Sequence, residues 1–297
     1  FAEDTAADEG FNLNLCIASE PQTIDPALNS AVDGAIMCNH MFEGLVKWVN
    51  DGEGNAITAP GQAESWEKTE NEDGTVTYTV KLRDGIKWSD GQDVTAGDFV
   101  YAWHRIFKNK GNYYYMFADG IAGIEGAQEL SDKIDAGEEL TDDDLNSMGV
   151  KAIDDYTLEV KTTVRVLFLD ELLAFPPFYP INEKLAEKQG DKYGKSAKAI
   201  LGNGAFTMTN WEAGSVVEFE KNESYYDQKH VKLNKLVMKL VQEPKVAAQA
   251  FEAGETDYAP INSDLVDKYK DDEAFKQVYD GFLFYISVNF QNSDLAN

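Results

Sequence analysis

Between residues 76 and 107 the hydrophobic period changes from two to 3.6. Val76, Tyr78, Val80 and Leu82 alternate with Thr77, Thr79 and Lys81, which puts one set of side chains on a single face of a strand. Asp73-Gly74 ahead of it favours a tight hairpin turn because the pair tolerates positive φ. Asp84-Gly85 and Asp90-Gly91 bracket a short second strand at residues 86–88. Thr95-x-x-Asp98 then reads as a capping box with Asp in place of Glu. Behind it Phe99, Val100, Trp103, Ile106 and Phe107 fall on one helical face. The stretch predicts a strand-turn-helix unit in which Val76, Tyr78, Val80, Leu82, Phe99 and Trp103 share one core.

The rest of the chain alternates strand and helix patterns. Phe11, Leu13, Leu15 and Ile17 alternate with polar residues and predict a strand; Ile24-Asp25-Pro26 reads as extended or turn, because a residue before proline avoids the helical region. Residues 32–45 predict a helix and 50–55 a turn. Tyr113, Tyr114, Tyr115 and Phe117 cannot all face one core, so at least one tyrosine is expected near solvent, a cleft or a hydrogen-bonding partner. The acidic run at 141–144 lacks the spaced oxygen ligands and central glycine of a calcium loop and reads as a helix N-terminus. Hairpins are predicted at 150–161 and 206–219. Helices are expected at 167–175, from Asn182 to Gly190, and at 246–253, closed by Gly254. Strands are expected around Leu236, Met238 and Leu240 and at 282–290.

The 297 residues suggest about two domains, and 43% hydrophobic content is enough for a sizeable core. Against 26 Lys and Arg stand 53 Asp and Glu, a formal net charge of -27, which repels nucleic acid and anionic membrane alike. Cys16 and Cys38 read as buried free thiols, since no small disulfide framework is present. No apolar run reaches the roughly 18 residues of a membrane-spanning helix. His40, His104 and His230 are scattered, with no HExxH or CxxC spacing, so neither a metal nor a cofactor is expected. With no GxSxG elbow, Walker loop or dinucleotide fingerprint, an enzyme is not expected either.

Longer words carry a resemblance. AESWE (63–67), LRDGIKWSDG (82–91) and residues 94–105 resemble the signature region of bacterial extracellular solute-binding proteins, family 5, the peptide-capturing components of ABC importers. SEPQTIDPALNS (19–30), MFEGLV (41–46), IAGIEG (121–126), MGVKAIDDYTLEVK (148–161), NGAFTMTNWEAGS (203–215), EFEKNESYYD (218–227) and AFEAGETDYAP (250–260) follow in the family's order. The resemblance implies an α/β, periplasmic-binding-protein-like fold (type II, family 5) with mixed sheets. It divides the chain into a first lobe (1–45 and 175–280), an inserted domain (46–174) and the start of a hinge and second lobe (281–297). Family members continue past a strand like FLFYISVNF (282–290), so the second ligand-binding lobe is expected to be missing from this chain.

The implied function is extracellular capture of oligopeptides for an ABC importer, by main-chain hydrogen bonding of an extended peptide in an interlobe cleft. The implied partners are the peptide and a membrane permease, with no nucleic acid, and the protein is expected to be a monomer. It would lie at the cell surface on a lipid anchor or in the periplasm, with an export signal upstream of Phe1. By position, Ser30, Ala31 and Val32 would offer main-chain groups, and Tyr113 or its neighbour Tyr114 would flank the peptide's N-terminal end. Asn262 and Tyr285 would line the cleft. The family often has an acidic residue where Ser30 stands, so a charge contact there is lost or moved. Capture of a nickel chelate, haem or a peptide pheromone is the related alternative; a hydrolytic enzyme is the alternative of a different class.

Overall fold

Two four-stranded sheets and the helices laid against them account for most of the regular structure in residues 10–277, which the computed structural model describes. In chain order come β1 (Phe11–Ile17), α1 (Val32–Met41), β2 (Val46–Asn50), β3 (Ala56–Pro60), β4 (Ala63–Glu70), β5 (Val76–Leu82) and α2 (Ala96–Lys108). There follow α3 (Ala127–Asp135), α4 (Asp142–Asn146), β6 (Val150–Asp154), β7 (Thr157–Thr162), α5 (Leu169–Leu173) and α6 (Glu183–Gln189). The series continues with β8 (Phe206–Glu212), β9 (Val216–Lys221), β10 (Leu233–Leu240), α7 (Pro244–Glu252) and α8 (Ser263–Tyr269). The chain divides after Pro260 into two compact units, and α8 belongs to the second.

In the first unit one sheet has the order β1-β10-β9-β8, with β1 parallel to β10 and the other pairs antiparallel. The other, β4-β5-β7-β6, is antiparallel throughout, and β2 and β3 form a separate hairpin. The period-two reading of β5 holds: Val76, Tyr78, Val80 and Leu82 are buried, and Tyr78 stands opposite Val160 of β7. The Asp98 carboxylate caps α2 by accepting the Thr95 backbone N–H at 2.8 Å. Phe99, Trp103, Ile106 and Phe107 are fully buried and belong to the same core as the β5 residues. That core is wider than the strand-turn-helix unit. It runs on through Met41 of α1, Phe178 and Phe219 of β9.

Several expected elements are shorter than predicted. Residues 86–88 make only an isolated bridge, Lys87 to Asp93, because the two Asp-Gly turns leave no room for a ladder. The helix expected over 32–45 stops at Met41, where Phe42 turns extended (φ -119, ψ 156). The helix expected over 167–175 spans five residues, cut short ahead of Pro176 and Pro177, neither of which can donate a helical hydrogen bond. In β1 the outer apolar residue Phe11 is 56% exposed, and burial begins only at Cys16 and Ile17. The strand expected at 282–290 lies outside the described residues. Among those described, no helix is long and apolar enough to cross a membrane.

Candidate functional site

The approach to α1 is an exposed segment mounted on a buried turn. Ser30 and Ala31 are exposed and Val32 is 67% exposed. Ala31 is extended, with φ -96 and ψ 143. The turn beneath begins at Asp25, where the sequence places Asp before Pro26. Asp25 Oδ1 accepts the Ala27 N–H at 3.0 Å, and the Asp25 carbonyl accepts the N–H groups of Leu28 and Asn29 at 3.0 and 2.8 Å, a local bond pattern to which aspartate is suited. Asn29, also buried, reaches forward: its Oδ1 accepts the Ala31 N–H at 3.2 Å and its Nδ2 donates to the Ala31 carbonyl at 3.0 Å. Asn29 therefore occupies the main chain of Ala31. What the segment leaves for a ligand is Ser30 and the first-turn N–H of Val32, which has no intrahelical acceptor.

The turn rests on a buried ion pair. Arg105 of α2 places Nη1 2.5 Å from Asp25 Oδ2, with the two residues 9% and 0% exposed. The guanidinium also lies 5.2 Å from the centre of the buried Tyr193 ring. Burial pushes the Asp25 carboxyl up from its ordinary value, while Arg105 and the Ala27 N–H pull it down. Burial also works against the guanidinium charge, but Asp25 more than offsets this and carries Arg105 above its ordinary value. The Ile24 N–H donates to the Gly194 carbonyl at 2.8 Å, and the Ile24 carbonyl accepts the Cys38 thiol at 3.2 Å. Burial pushes that thiol up, so it stays protonated and unreactive. Cys16, the other free thiol, is buried on β1. A cleft of about 960 Å³ runs along the outer face of α2, lined among others by Tyr101, His104, Lys108, Glu187 and Tyr193.

The tyrosine run meets the same turn. Gly111 is buried with its Cα so close to Ala27 that a Cβ there would come within 2.1 Å of the Ala27 carbonyl oxygen. This brings the segment carrying Tyr113 against the one carrying Ser30. Tyr113 is half-buried, edge-on to Phe175 with ring centroids 5.4 Å apart. The Tyr114 hydroxyl donates to Asp135 at 2.5 Å and its ring packs 6.0 Å from Phe107. Tyr115, 49% exposed, is the member that reaches solvent. In the second unit Asn262 is exposed at the start of α8, its Nδ2 3.4 Å from Asp264 Oδ2. Tyr285 lies outside the described residues. Asp25, Asn29 and Arg105 were not among the residues expected from sequence. An arginine between Trp103 and Ile106 in α2, and an aspartate between Ile24 and Pro26, are the local signs of Arg105 and Asp25; Asn29 has none.

The model of bacterial extracellular solute-binding proteins, family 5 Middle, matches residues 58–297. The oligopeptide-binding protein OppA of Bacillus subtilis (strain 168) is 35% identical over 250 residues, 83% of this chain and 42% of that protein. The periplasmic oligopeptide-binding protein OppA of Salmonella typhimurium is 33% identical over 282 residues, 93% of this chain and 48% of the other. Among solved structures, Listeria monocytogenes OppA bound to peptide superposes with a TM-score of 0.77 at 28% identity, covering 90% of this chain and 49% of that one. The substrate-binding domain of an oligopeptide ABC transporter from Bacillus anthracis gives a TM-score of 0.77 at 33% identity, covering 90% and 48%. The chain thus spans about half the length of the relatives it matches.

Proposed function

Because the chain belongs to the bacterial extracellular solute-binding proteins, family 5, we propose that it captures oligopeptides for delivery to an ABC importer. The peptide lies extended and is held largely main chain to main chain, which gives affinity with little demand on side-chain identity. The observation that carries this reading is the exposed 30–32 segment, held open by Asn29 beside the tyrosine-bearing loop. Ser30 and Val32 supply main-chain groups and Tyr113 flanks the peptide. The Tyr114 hydroxyl is already committed to Asp135. The family resemblance adds Asn262 and Tyr285 as further peptide contacts. In this reading residues 46–174 are an inserted domain on a first lobe built from 1–45 and 175–280. The distribution of strands supports it: β1, β8, β9 and β10 come from the second set of ranges, and β2 to β7 from the first. The protein works as a monomer, with a membrane permease as partner, on a lipid anchor at the cell surface or in the periplasm.

Calorimetry with mixed tri- to pentapeptides tests this, on this chain and on the longest polypeptide its reading frame encodes. Micromolar or tighter binding that tolerates changes of peptide side chain is expected from the latter. Peptide-independent binding of a nickel chelate or haem, or hydrolysis of the peptides, would overturn it.

A further inference from the structure

We propose that Arg105 is a positioning residue for the 30–32 segment, acting through Asp25 and Asn29; the role in peptide binding rests on the function proposed above. The path is continuous and buried. The guanidinium fixes the Asp25 carboxylate. The other carboxylate oxygen and the Asp25 carbonyl fix the N–H groups of Ala27, Leu28 and Asn29. The Asn29 amide then grips both main-chain groups of Ala31. Gly34 closes the path from the helix side, since a Cβ there would stand 2.0 Å from Asn29 Oδ1. The first turn of α1 is thus seated directly on the Asn29 side chain.

Arg105 reaches this turn from 80 residues away, on a helix whose opposite face is locked into the core by Trp103 and Phe107. Tyr193 lies over the guanidinium and the Gly194 carbonyl holds Ile24, so the turn is pinned from both sides. Loss of the guanidinium leaves a buried carboxylate without its ion-pair partner, with only the more distant charge of Lys195 acting on it. The carboxylate must take up a proton, which weakens the bond that Oδ1 accepts from the Ala27 N–H, or swing toward water, which breaks it; either change loosens the turn that aims Asn29.

Amide hydrogen exchange on this chain separates positioning from general stability. In Arg105→Met, exchange at Ala27, Asn29 and Ala31 is expected to accelerate about tenfold or more, while β8 and β9 amides change little, the mark of a local opening. Asn29→Ala should accelerate Ala31 alone. Arg105→Lys keeps the charge but loses the planar fork; it should restore part of the Ala27 protection, and it is the variant to measure should Arg105→Met fail to fold. Uniform acceleration across the chain in both Arg105 variants, or an unchanged Ala31, overturns the proposal. Tripeptide affinity, measured on the longest encoded polypeptide, is the second reading. If Ala31 loosens and affinity falls with it, the whole chain of contacts serves the peptide. If Ala31 loosens and affinity does not move, the hold of Arg105 stands and the peptide role of residues 30–32 falls.

Discussion

Trp103 stands edge-on to Phe178, ring centroids 5.6 Å apart at 90°, and donates its Nε1–H to the Phe178 carbonyl at 3.1 Å. One side chain thus joins α2 both to a ring and to the backbone of a segment 75 residues away. Phe117 packs against the same indole at 5.5 Å. Removing a fully buried indole from such a site costs about 3–5 kcal/mol, and the Phe178 carbonyl loses its donor as well. Trp103→Ala is therefore expected to lower unfolding free energy by about that amount in urea denaturation. A loss below about 1 kcal/mol would mean that the site collapses without penalty.

How far this was legible in the sequence depended on how local the cause was. The faces of β5 and α2 could be read because alternation and helical spacing are properties of neighbours. Pro176 and Pro177 set the limit of the helix expected over 167–175, and α5 stops two residues short of it because Phe175, the residue before a proline, is extended. The strand read from Phe11 to Ile17 is there, and the exposure of Phe11 lay outside that reading, because alternation says which residues share a face, not whether that face is covered. At the site, residues 30–32 were reached through resemblance and not through periodicity. The two members of the Asp25–Arg105 pair each left a local sign, an aspartate and an arginine among apolar neighbours, but nothing local joined one to the other. Only the topology that carries α2 back to the first turn brings them together. Which tyrosine of the run would find a hydrogen-bonding partner was not legible either, because Asp135 of α3, the acceptor of the Tyr114 hydroxyl, lies 21 residues on.

The cap of α4 carries a pH dependence. The Asp144 carboxylate accepts a hydrogen bond from Lys133 Nζ, and others from the Thr141 N–H and hydroxyl at 2.8 and 2.7 Å. The Lys133 bond first, then those from Thr141, hold its carboxyl well below the usual aspartate range. A depressed folded-state pKa means that the folded form releases this proton more readily than the unfolded chain. The contribution is therefore full above the ordinary aspartate value of about 3.9 and is lost as pH falls through the lower folded value. Acid titration followed by the Thr141 and Asp144 amide signals should show the first turn of α4 loosening only well below pH 3.9. In Asp144→Asn that transition should be absent.

Two glycines should respond in opposite ways to the same methyl group. At Gly111 a Cβ would meet the Ala27 carbonyl oxygen at 2.1 Å and Ile106 Cγ1 at 2.9 Å. A carbonyl held in the Asp25 turn cannot swing aside as a flexible side chain would, so Gly111→Ala should destabilise by about 1–3 kcal/mol. At Gly97, exposed in the first turn of α2, a Cβ would meet only Thr95 Oγ1 at 3.4 Å. Gly97→Ala should be neutral or stabilise by up to about 1 kcal/mol through reduced chain entropy. Paired denaturation curves check both, and equal effects would mean that the Gly111–Ala27 approach carries no weight.

Val32→Pro isolates one proposed peptide contact. Val32 is the first residue of α1, where proline is well tolerated because the N–H has no helical partner and the fixed φ already suits a helix. The residue before a proline must be extended, and Ala31 already is, at φ -96 and ψ 143. The side chain given up is 67% exposed, so little packing is lost. The substitution thus removes a single outward N–H and leaves the fold in place. If that N–H bonds to the peptide, its loss should cost about 0.5–1.5 kcal/mol, roughly two- to tenfold in affinity, with the unfolding midpoint unchanged. Val32→Ala is the control, since it trims the side chain and keeps the N–H; its affinity should match that of the parent. Equal affinity in the proline variant would place the peptide's hydrogen bonds elsewhere. A fall shared by both variants would assign the contact to the valine side chain instead.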